Sequence, residues 1–160
     1  MSIRLAAPPV YDIVSGTCAE QISFDILAPV GLLLSLCGMG IRLWCYQALG
    51  PCFTFELALL PNHKLITTGP YTYVRHPSYT GGILALVGMS IVNMSKGSWA
   101  YECGFALSWW GIGWGMLVMI SMIILIERCP REDRFLREVF KEEWDAWRER
   151  VRWRMIPWVY

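Results

Sequence analysis

The sequence predicts an all-α, polytopic helical membrane protein. Three observations carry that reading. The chain has 160 residues, of which 55% are hydrophobic and 17% charged, with nine Trp. Its apolar residues are gathered into runs that approach or exceed the roughly 20 residues a helix needs to cross the hydrocarbon. Its charges are gathered at one end: residues 127–160 hold nine of the fourteen Lys and Arg and eight of the thirteen Asp and Glu. Length admits one domain, residues 1–160. The net charge of +1 supplies no global basic field, so nucleic acid is not an expected partner.

The elements follow in order. Residues 1–23 are mixed in character and read as an interfacial or loosely ordered N-terminal arm. They lack a basic stretch followed at once by an apolar core, so no cleavable signal peptide is expected. Residues 24–49 form the first membrane helix. Pro29 lies in its first turns, where proline is tolerated, and Arg42 lies near its end, where a long cation can snorkel to the surface. Residues 50–78 form a Pro- and Gly-rich connector of about thirty residues, a length that in a compact domain usually marks function. Residues 79–94 are a shorter apolar run, marginal for a full crossing. Ser95-Lys96-Gly97-Ser98 is a turn. Residues 101–126 are long enough to span even when tilted, and Gly104, Gly111, Gly113 and Gly115 suit close helix approach.

From Glu127 the pattern changes. Phe135, Leu136, Val139, Phe140, Trp144, Trp147 and Val151 fall on one helical face with charges opposite. Pro130 sits near the expected start of this amphipathic helix, where its missing N–H does no harm. The helix is expected to lie on the membrane surface or on the connector, with Trp153, Pro157, Trp158 and Tyr160 as an interfacial anchor. Three crossings place residues 50–78 and 127–160 on one face, and the positive-inside rule makes that face cytosolic, with the 95–100 turn lumenal. The six cysteines (18, 37, 45, 52, 103 and 129) include no C-x-x-C pair. Several sit inside apolar runs as small hydrophobes, so neither structural zinc nor a disulfide framework is expected. The two histidines, His63 and His76, lack nearby ligands at a motif spacing, and no metal is expected.

The stretch from Leu65 to Gly82, LITTGPYTYVRHPSYTGG, joins the polar connector to an apolar run. An Arg75-His76 pair beside hydrocarbon is costly unless paired or used, so this segment is a candidate for holding a charged ligand at the membrane surface. Plainer readings stand beside that one. Arg75 serves equally as an interfacial anchor, His76 as a hydrogen-bonded structural residue, and Arg128 with Glu132 as an ordinary i,i+4 pair.

The pattern H-x-L-I-T-T-G-P-Y-x-x-x-R-H-P-S-Y-x-G, from His63 to Gly81, is followed by a hydrophobic hairpin, then by Arg128-x-x-x-Glu132-Asp133 and a closing helix with Phe140, Glu143, Trp144, Trp147 and Val151. Together these resemble the isoprenylcysteine carboxyl methyltransferase family, within the wider group of membrane phospholipid methyltransferases. The resemblance covers about residues 38 to 158. It implies a cytosolic S-adenosylmethionine pocket formed by the long connector and the C-terminal amphipathic helix. Matched residue by residue, the cofactor strip falls on His63, Lys64, Leu65 and Ile66. Further cofactor contacts fall on Tyr71, on His76, Pro77, Ser78 and Tyr79, and on Glu132. Glu56, seven residues before His63, takes a position where the family often has Gln. Arg128 would face the methyl acceptor. The implied partners are a prenylated protein or isoprenylcysteine and membrane lipid, and the implied membrane in a eukaryote is the endoplasmic reticulum. Three features depart from the family pattern: fewer predicted spans than in animal members, Pro130 interrupting the acidic run, and Asp133 where Glu is common.

The residues support such chemistry by themselves. S-adenosylmethionine carries a sulfonium, an amino-acid head and adenine. A carboxylate such as Glu132 pairs with an amino group, and aromatic faces attract cationic and flat groups. Methyl transfer is an in-line displacement, so positioning and exclusion of water supply most of the acceleration. A carboxylate acceptor needs no general base, and Arg128 can grip it with a two-pronged hydrogen bond. An amine acceptor would want a base. Two other enzymes remain open: a phospholipid amine N-methyltransferase, and a membrane sterol or steroid reductase. The reductase element reads R-H-P-N-Y with an acidic residue after the following glycine, whereas Ser78 and Gly82 stand here. A non-enzymatic membrane protein of the same fold is the remaining alternative.

Overall fold

The computed structural model describes residues 25–52, 64–106 and 108–160. The expected arm at 1–23 and most of the connector, including Glu56 and His63, lie outside the described residues. Every regular element among the described residues is helical. Helix α1 is Leu27–Leu49, α2 is Pro77–Met94, α3 is the single turn Trp99–Glu102, and α4 is Trp109–Arg150. Short 3-10 turns occupy Gly50–Cys52 and Gly69–Thr72.

Two helices, α1 and α4, are long and apolar enough to cross a membrane, and only 11% of each apolar window is buried by protein. That low figure separates them from the core helix of a soluble protein. Leu32, Leu33 and Leu36 of α1 and Ile120, Ile123 and Ile124 of α4 are all at least half exposed, a surface that suits hydrocarbon and not water. α2 is not among the two.

The chain divides into two compact units. The first comprises residues up to Leu36 together with Leu84–Ser121. Its helices touch backbone to backbone at Gly31 and Gly88: a Cβ added at Gly88 would lie 2.5 Å from the Gly31 carbonyl oxygen. Beside that contact Ser35 donates to the Ala85 carbonyl at 3.4 Å, and Trp114 Nε1 donates to Ser90 Oγ at 3.3 Å. Ser98 caps α3, accepting the Tyr101 N–H, and the Glu102 carboxylate takes the Gly97 N–H at 2.7 Å. Trp109, Trp110 and Trp114 line an open apolar groove, the composition of a membrane-interface belt.

Two expectations change here. The apolar run from residue 101 is not one helix. Gly104 has φ +71°, the chain turns, and helix α4 begins at Trp109. Gly111 lets that start fold back on itself, since a Cβ there would meet the Ala106 carbonyl oxygen at 2.1 Å, whereas Gly113 and Gly115 meet nothing within 4 Å. Close helix approach therefore runs through Gly31 and Gly88, not through the expected glycines of α4. Cys103 is disulfide-bonded, which the reading of the cysteines as apolar filler did not anticipate.

The second unit comprises Cys37–Ile83 and Met122–Tyr160. Here α1 and α2 meet at Gly38 and Gly81, where an added Cβ at Gly81 would lie 2.6 Å from the Gly38 oxygen. Arg42 is satisfied within one turn, its Nε donating to the Tyr46 hydroxyl at 3.1 Å. Cys45, Tyr71, Trp144, Trp147 and Val151 form the core, with Leu65, Ile66, Leu136 and Phe140 packed against it.

α4 departs from expectation twice in this unit. Pro130 lies inside the helix, not at a start. Proline forfeits one backbone hydrogen bond to the preceding turn, yet the helix runs through it. The interruption falls instead at Lys141, with φ 44° and ψ −112°, a conformation natural to glycine at the first corner of a type II′ turn. Arg137 and Asp145 stand about 12 Å apart along a straight helix. Across this bend they pair at 3.0 Å. Helix α4 is thus two pieces, 109–140 and 142–150, and the amphipathic stretch expected from Glu127 runs across both, with Phe140, Trp144 and Trp147 packing in one core.

Candidate active site

All the described groups of the candidate site lie in the second unit. The segment from Lys64 enters through the turn at Gly69 (φ +63°), closed by Thr72 Oγ1 donating to the Gly69 carbonyl at 2.7 Å. Tyr71 is pinned inside, its carbonyl accepting from Trp147 Nε1 at 3.3 Å. Pro77 keeps the preceding residue extended and opens α2 where an N–H has no helical partner anyway. The extended Arg75-His76 backbone is therefore available to pair elsewhere. Its N–H groups donate to the Trp153 carbonyl at 2.9 Å and the Arg154 carbonyl at 2.7 Å. Thr80 Oγ1 donates to the Met155 carbonyl at 2.7 Å. The C-terminal segment thus lies along the Arg-His-Pro step.

Asp133 is the electrostatic centre. It is buried, and three cationic or protonatable groups converge on it: His76 Nε2 at 3.0 Å, Arg154 Nε at 3.0 Å and Arg75 Nη2 at 3.3 Å. Burial pushes its carboxyl up, but the His76 hydrogen bond and the two guanidiniums reverse that and hold it below the usual carboxylate value. An ionised Asp133 accepts only, so His76 Nε2 carries a proton and donates. For Arg75, burial lowers the guanidinium value and Asp133 opposes the change. Its guanidinium carbon lies 5.8 Å from the centre of the Trp144 ring, and among the described residues its Nε has no hydrogen-bond partner. The ring face stands in for that partner electrostatically. Arg75 is a buried ion-pair member, not an interfacial anchor.

One turn of α2 further on, the Tyr79 hydroxyl donates to the Glu132 carboxylate. Arg128 Nε lies 3.9 Å from Glu132, and its guanidinium carbon is 6.0 Å from the centre of the Tyr79 ring. The His76 and Tyr79 rings stack at 5.5 Å and 6°. Arg128 and Glu132 keep 38% and 27% of their side chains exposed, so this end of the cluster is open while the Asp133 end is closed. An open carboxylate, an open guanidinium and a flat aromatic pair can together hold a ligand that is cationic, anionic and planar in different parts.

The structure therefore brings together His76, Pro77, Ser78, Tyr79, Arg128 and Glu132. Leu65, Ile66 and Tyr71 pack into the adjoining apolar core, where burial raises the Tyr71 phenol above its ordinary value. Lys64 is exposed. His63 and Glu56 lie outside the described residues. Sequence reasoning assigned no site role to Asp133, Trp144 or Arg154. Asp133 carried a signal, adjacency to Glu132 within the R-x-x-x-E-D element; Arg154 carried none. Among the described residues no group of three or more His, Cys, Asp or Glu is placed to hold a metal ion.

Comparison with known proteins adds an independent line. Residues 31–109 match the family profile described as the isoprenylcysteine carboxyl methyltransferase (ICMT) family. A probable protein-S-isoprenylcysteine O-methyltransferase of Oryza sativa subsp. indica is 29% identical over 82% of this chain and 62% of its own length. Protein-S-isoprenylcysteine O-methyltransferase B of Arabidopsis thaliana is 27% identical over 76% of this chain and 55% of its own. The protein-S-isoprenylcysteine O-methyltransferase of Dictyostelium discoideum is 26% identical over 82% of this chain and 49% of its own. The chain thus spans between 49% and 62% of the length of these relatives. No solved structure matches it. The chain is thus similar to the isoprenylcysteine carboxyl methyltransferase family over residues 31–109, a stretch that contains the Arg-His-Pro-Ser-Tyr step folded against the Arg128–Glu132 turn.

Proposed function

We propose that the chain transfers a methyl group from S-adenosylmethionine to the C-terminal carboxylate of a prenylated cysteine, giving a methyl ester. One observation carries the reading: the two separated sequence elements meet side chain to side chain, Tyr79 on Glu132 and Arg128 over Tyr79. The donor set fits the cofactor. Glu132 is a part-exposed carboxylate suited to an ammonium, and the His76–Tyr79 stack offers a flat face to a base or a sulfonium. When bound, S-adenosylmethionine supplies a methyl group activated on sulfur.

The chain's own residues orient and desolvate. Arg128 has five donors in a planar fork, enough to keep Glu132 and grip an acceptor carboxylate. That acceptor is already ionised, so no side chain has to remove a proton. Lys64, Leu65, Ile66 and Tyr71 would flank the cofactor, with His63 and Glu56 completing the strip. The isoprenoid would reach the site from the lipid, since an apolar tail gains nothing by leaving it. The site would face the cytosol, in a eukaryote from the endoplasmic reticulum membrane. One feature supports that orientation: the basic residues of the 127–160 segment.

The test is a transfer assay in liposomes with methyl-labelled cofactor, offering acetyl-farnesylcysteine and phosphatidylethanolamine in parallel. Base-labile label on the farnesylcysteine is expected, and label on the amine lipid alone refutes the carboxyl acceptor. Glu132→Ala should weaken cofactor binding and Arg128→Ala should chiefly raise KM for the acceptor, each by about ten- to a hundredfold, the size of one charge-assisted hydrogen bond. Full activity in both variants would reduce this turn of α4 to scaffold.

A further inference from the structure

We infer that Arg154 is a positioning residue for this site, holding Asp133 and through it the His76 ring in the orientation that stacks on Tyr79. The functional part of the inference rests on the methyltransferase reading above. The segment that carries Arg154 was expected to be an interfacial anchor. The geometry gives it another task.

Asp133 Oδ1 receives His76, and Oδ2 receives both Arg154 Nε and Arg75 Nη2. With His76 alone, the carboxylate could rotate about its own bond and carry the imidazole with it. The contacts on Oδ2 fix its plane. Arg75 is the poorer restraint of the two, at 3.3 Å with its guanidinium laid over Trp144. Arg154 Nε is at 3.0 Å and is anchored from behind. Its Nη1 donates to the Tyr160 hydroxyl at 3.0 Å, with the guanidinium 5.2 Å from the Tyr160 ring centre. The backbone N–H groups of Arg154, Met155 and Ile156 all donate to the Tyr160 carbonyl, at 2.9, 2.8 and 3.1 Å. Three successive amides on one oxygen form a stiff turn.

Arg154 also reaches His76 by a second route, because its own carbonyl accepts the His76 N–H at 2.7 Å. One residue therefore restrains both the backbone and the ring of His76. With Nε2 held on Asp133, the direction of the ring's other nitrogen, Nδ1, is set by this chain of contacts. Arg154 touches neither Tyr79 nor Glu132 in the contacts described above, so its effect on the open end of the site travels through His76.

The test uses the full chain in detergent micelles. The chain contains two histidines, so with ¹⁵N-labelled histidine the His76 imidazole signals are identified by comparison with His63→Gln. The ligand probe is S-adenosylhomocysteine, titrated calorimetrically. Arg154→Ala, with helix content unchanged, should shift or broaden the His76 signals and weaken S-adenosylhomocysteine about tenfold, the loss of one charge-assisted hydrogen bond. Arg154→Lys keeps the charge but not the planar fork, and should recover part of both effects. A folded Arg154→Ala protein with wild-type His76 signals and wild-type affinity overturns the inference. If Arg154→Ala fails to fold, Arg154→Lys decides by the same two readouts, wild-type values in both overturning it. If the wild-type chain binds no S-adenosylhomocysteine, the methyltransferase reading fails, while the imidazole signals still decide whether Arg154 positions His76.

Discussion

Replacing Asp133 by alanine should be the most damaging single change in the second unit, and the size follows from its partners. Arg75 keeps 5% of its side chain exposed. Without Asp133 its guanidinium would stay in the interior beside Trp144 with that counter-charge gone, a situation that costs about 3–5 kcal/mol. His76 can stand neutral and loses about one hydrogen bond, about 1 kcal/mol. Arg154, with 33% of its side chain exposed, is compensated by water and adds little. Asp133→Ala should therefore lose about 4 kcal/mol or more. The control is Asp145→Ala in the Arg137–Asp145 pair, whose side chains are 58% and 44% exposed; it should lose at most about 1 kcal/mol. Equilibrium unfolding in mixed micelles, followed by tryptophan fluorescence, measures both. Losses within about 1 kcal/mol of each other would refute the claim that Asp133 centres a buried ion cluster. The same group sets an acid limit. Its folded value lies below the ordinary 3.8, so its contribution is complete above that value and is lost as pH falls from there through the folded value. Asp133→Asn should flatten that acid limb; a limb of unchanged slope would assign it to other carboxylates.

Two further perturbations test the packing. Lys141→Gly should stabilise the chain by about 1 kcal/mol, because glycine adopts the positive-φ corner without strain; a loss of stability would mean that the Lys141 side chain holds the bend. Gly88→Ala should cost about 1–3 kcal/mol, since the new Cβ cannot avoid backbone, with the Gly31 oxygen 2.5 Å away. Gly113→Ala, where nothing lies within 4 Å, should be neutral or better. Thermal stability of the two alanine variants in one detergent separates them, and equal losses would refute the packing assignment.

The helices were legible because apolar runs are long-range signals. Helices α1 and α2 begin and end within three residues of the expected runs, and the Arg-His-Pro-Ser-Tyr step and the Arg128–Glu132 turn meet, an adjacency that the family resemblance implied and that neither element signals alone. Local breakers misled. Pro130 reads as a boundary, but inside a long helix the loss of one backbone bond is outweighed by the packing on either side. Lys141 carries no breaker signal, since glycine would be the expected residue at that φ. The aromatic spacing runs through it unbroken because both pieces face one core, so a single amphipathic helix and two bent pieces share one pattern. Asp133 and Arg154 were missed for a different reason. Their value lies in a contact 21 residues apart, and no periodicity encodes a partner at that distance.

The adjacency of Glu132 and Asp133 then gains a physical sense. Consecutive helical residues point about 100° apart, so the two carboxylates cannot serve one partner. They serve two: Glu132 takes Tyr79, and Asp133 takes His76. The His76 and Tyr79 rings are themselves stacked, so the acid pair reads the ring pair edge by edge. A buried ion cluster is a poor source of stability compared with apolar side chains of equal volume. What it supplies is exclusion of alternatives. If α4 turned so that Asp133 met Tyr79, Arg75 and Arg154 would lose their anion and Glu132 would be carried off its present partner. The charged cluster fixes the rotation of α4 about its axis, and that rotation decides that Glu132 and Arg128 are the pair left open to a ligand.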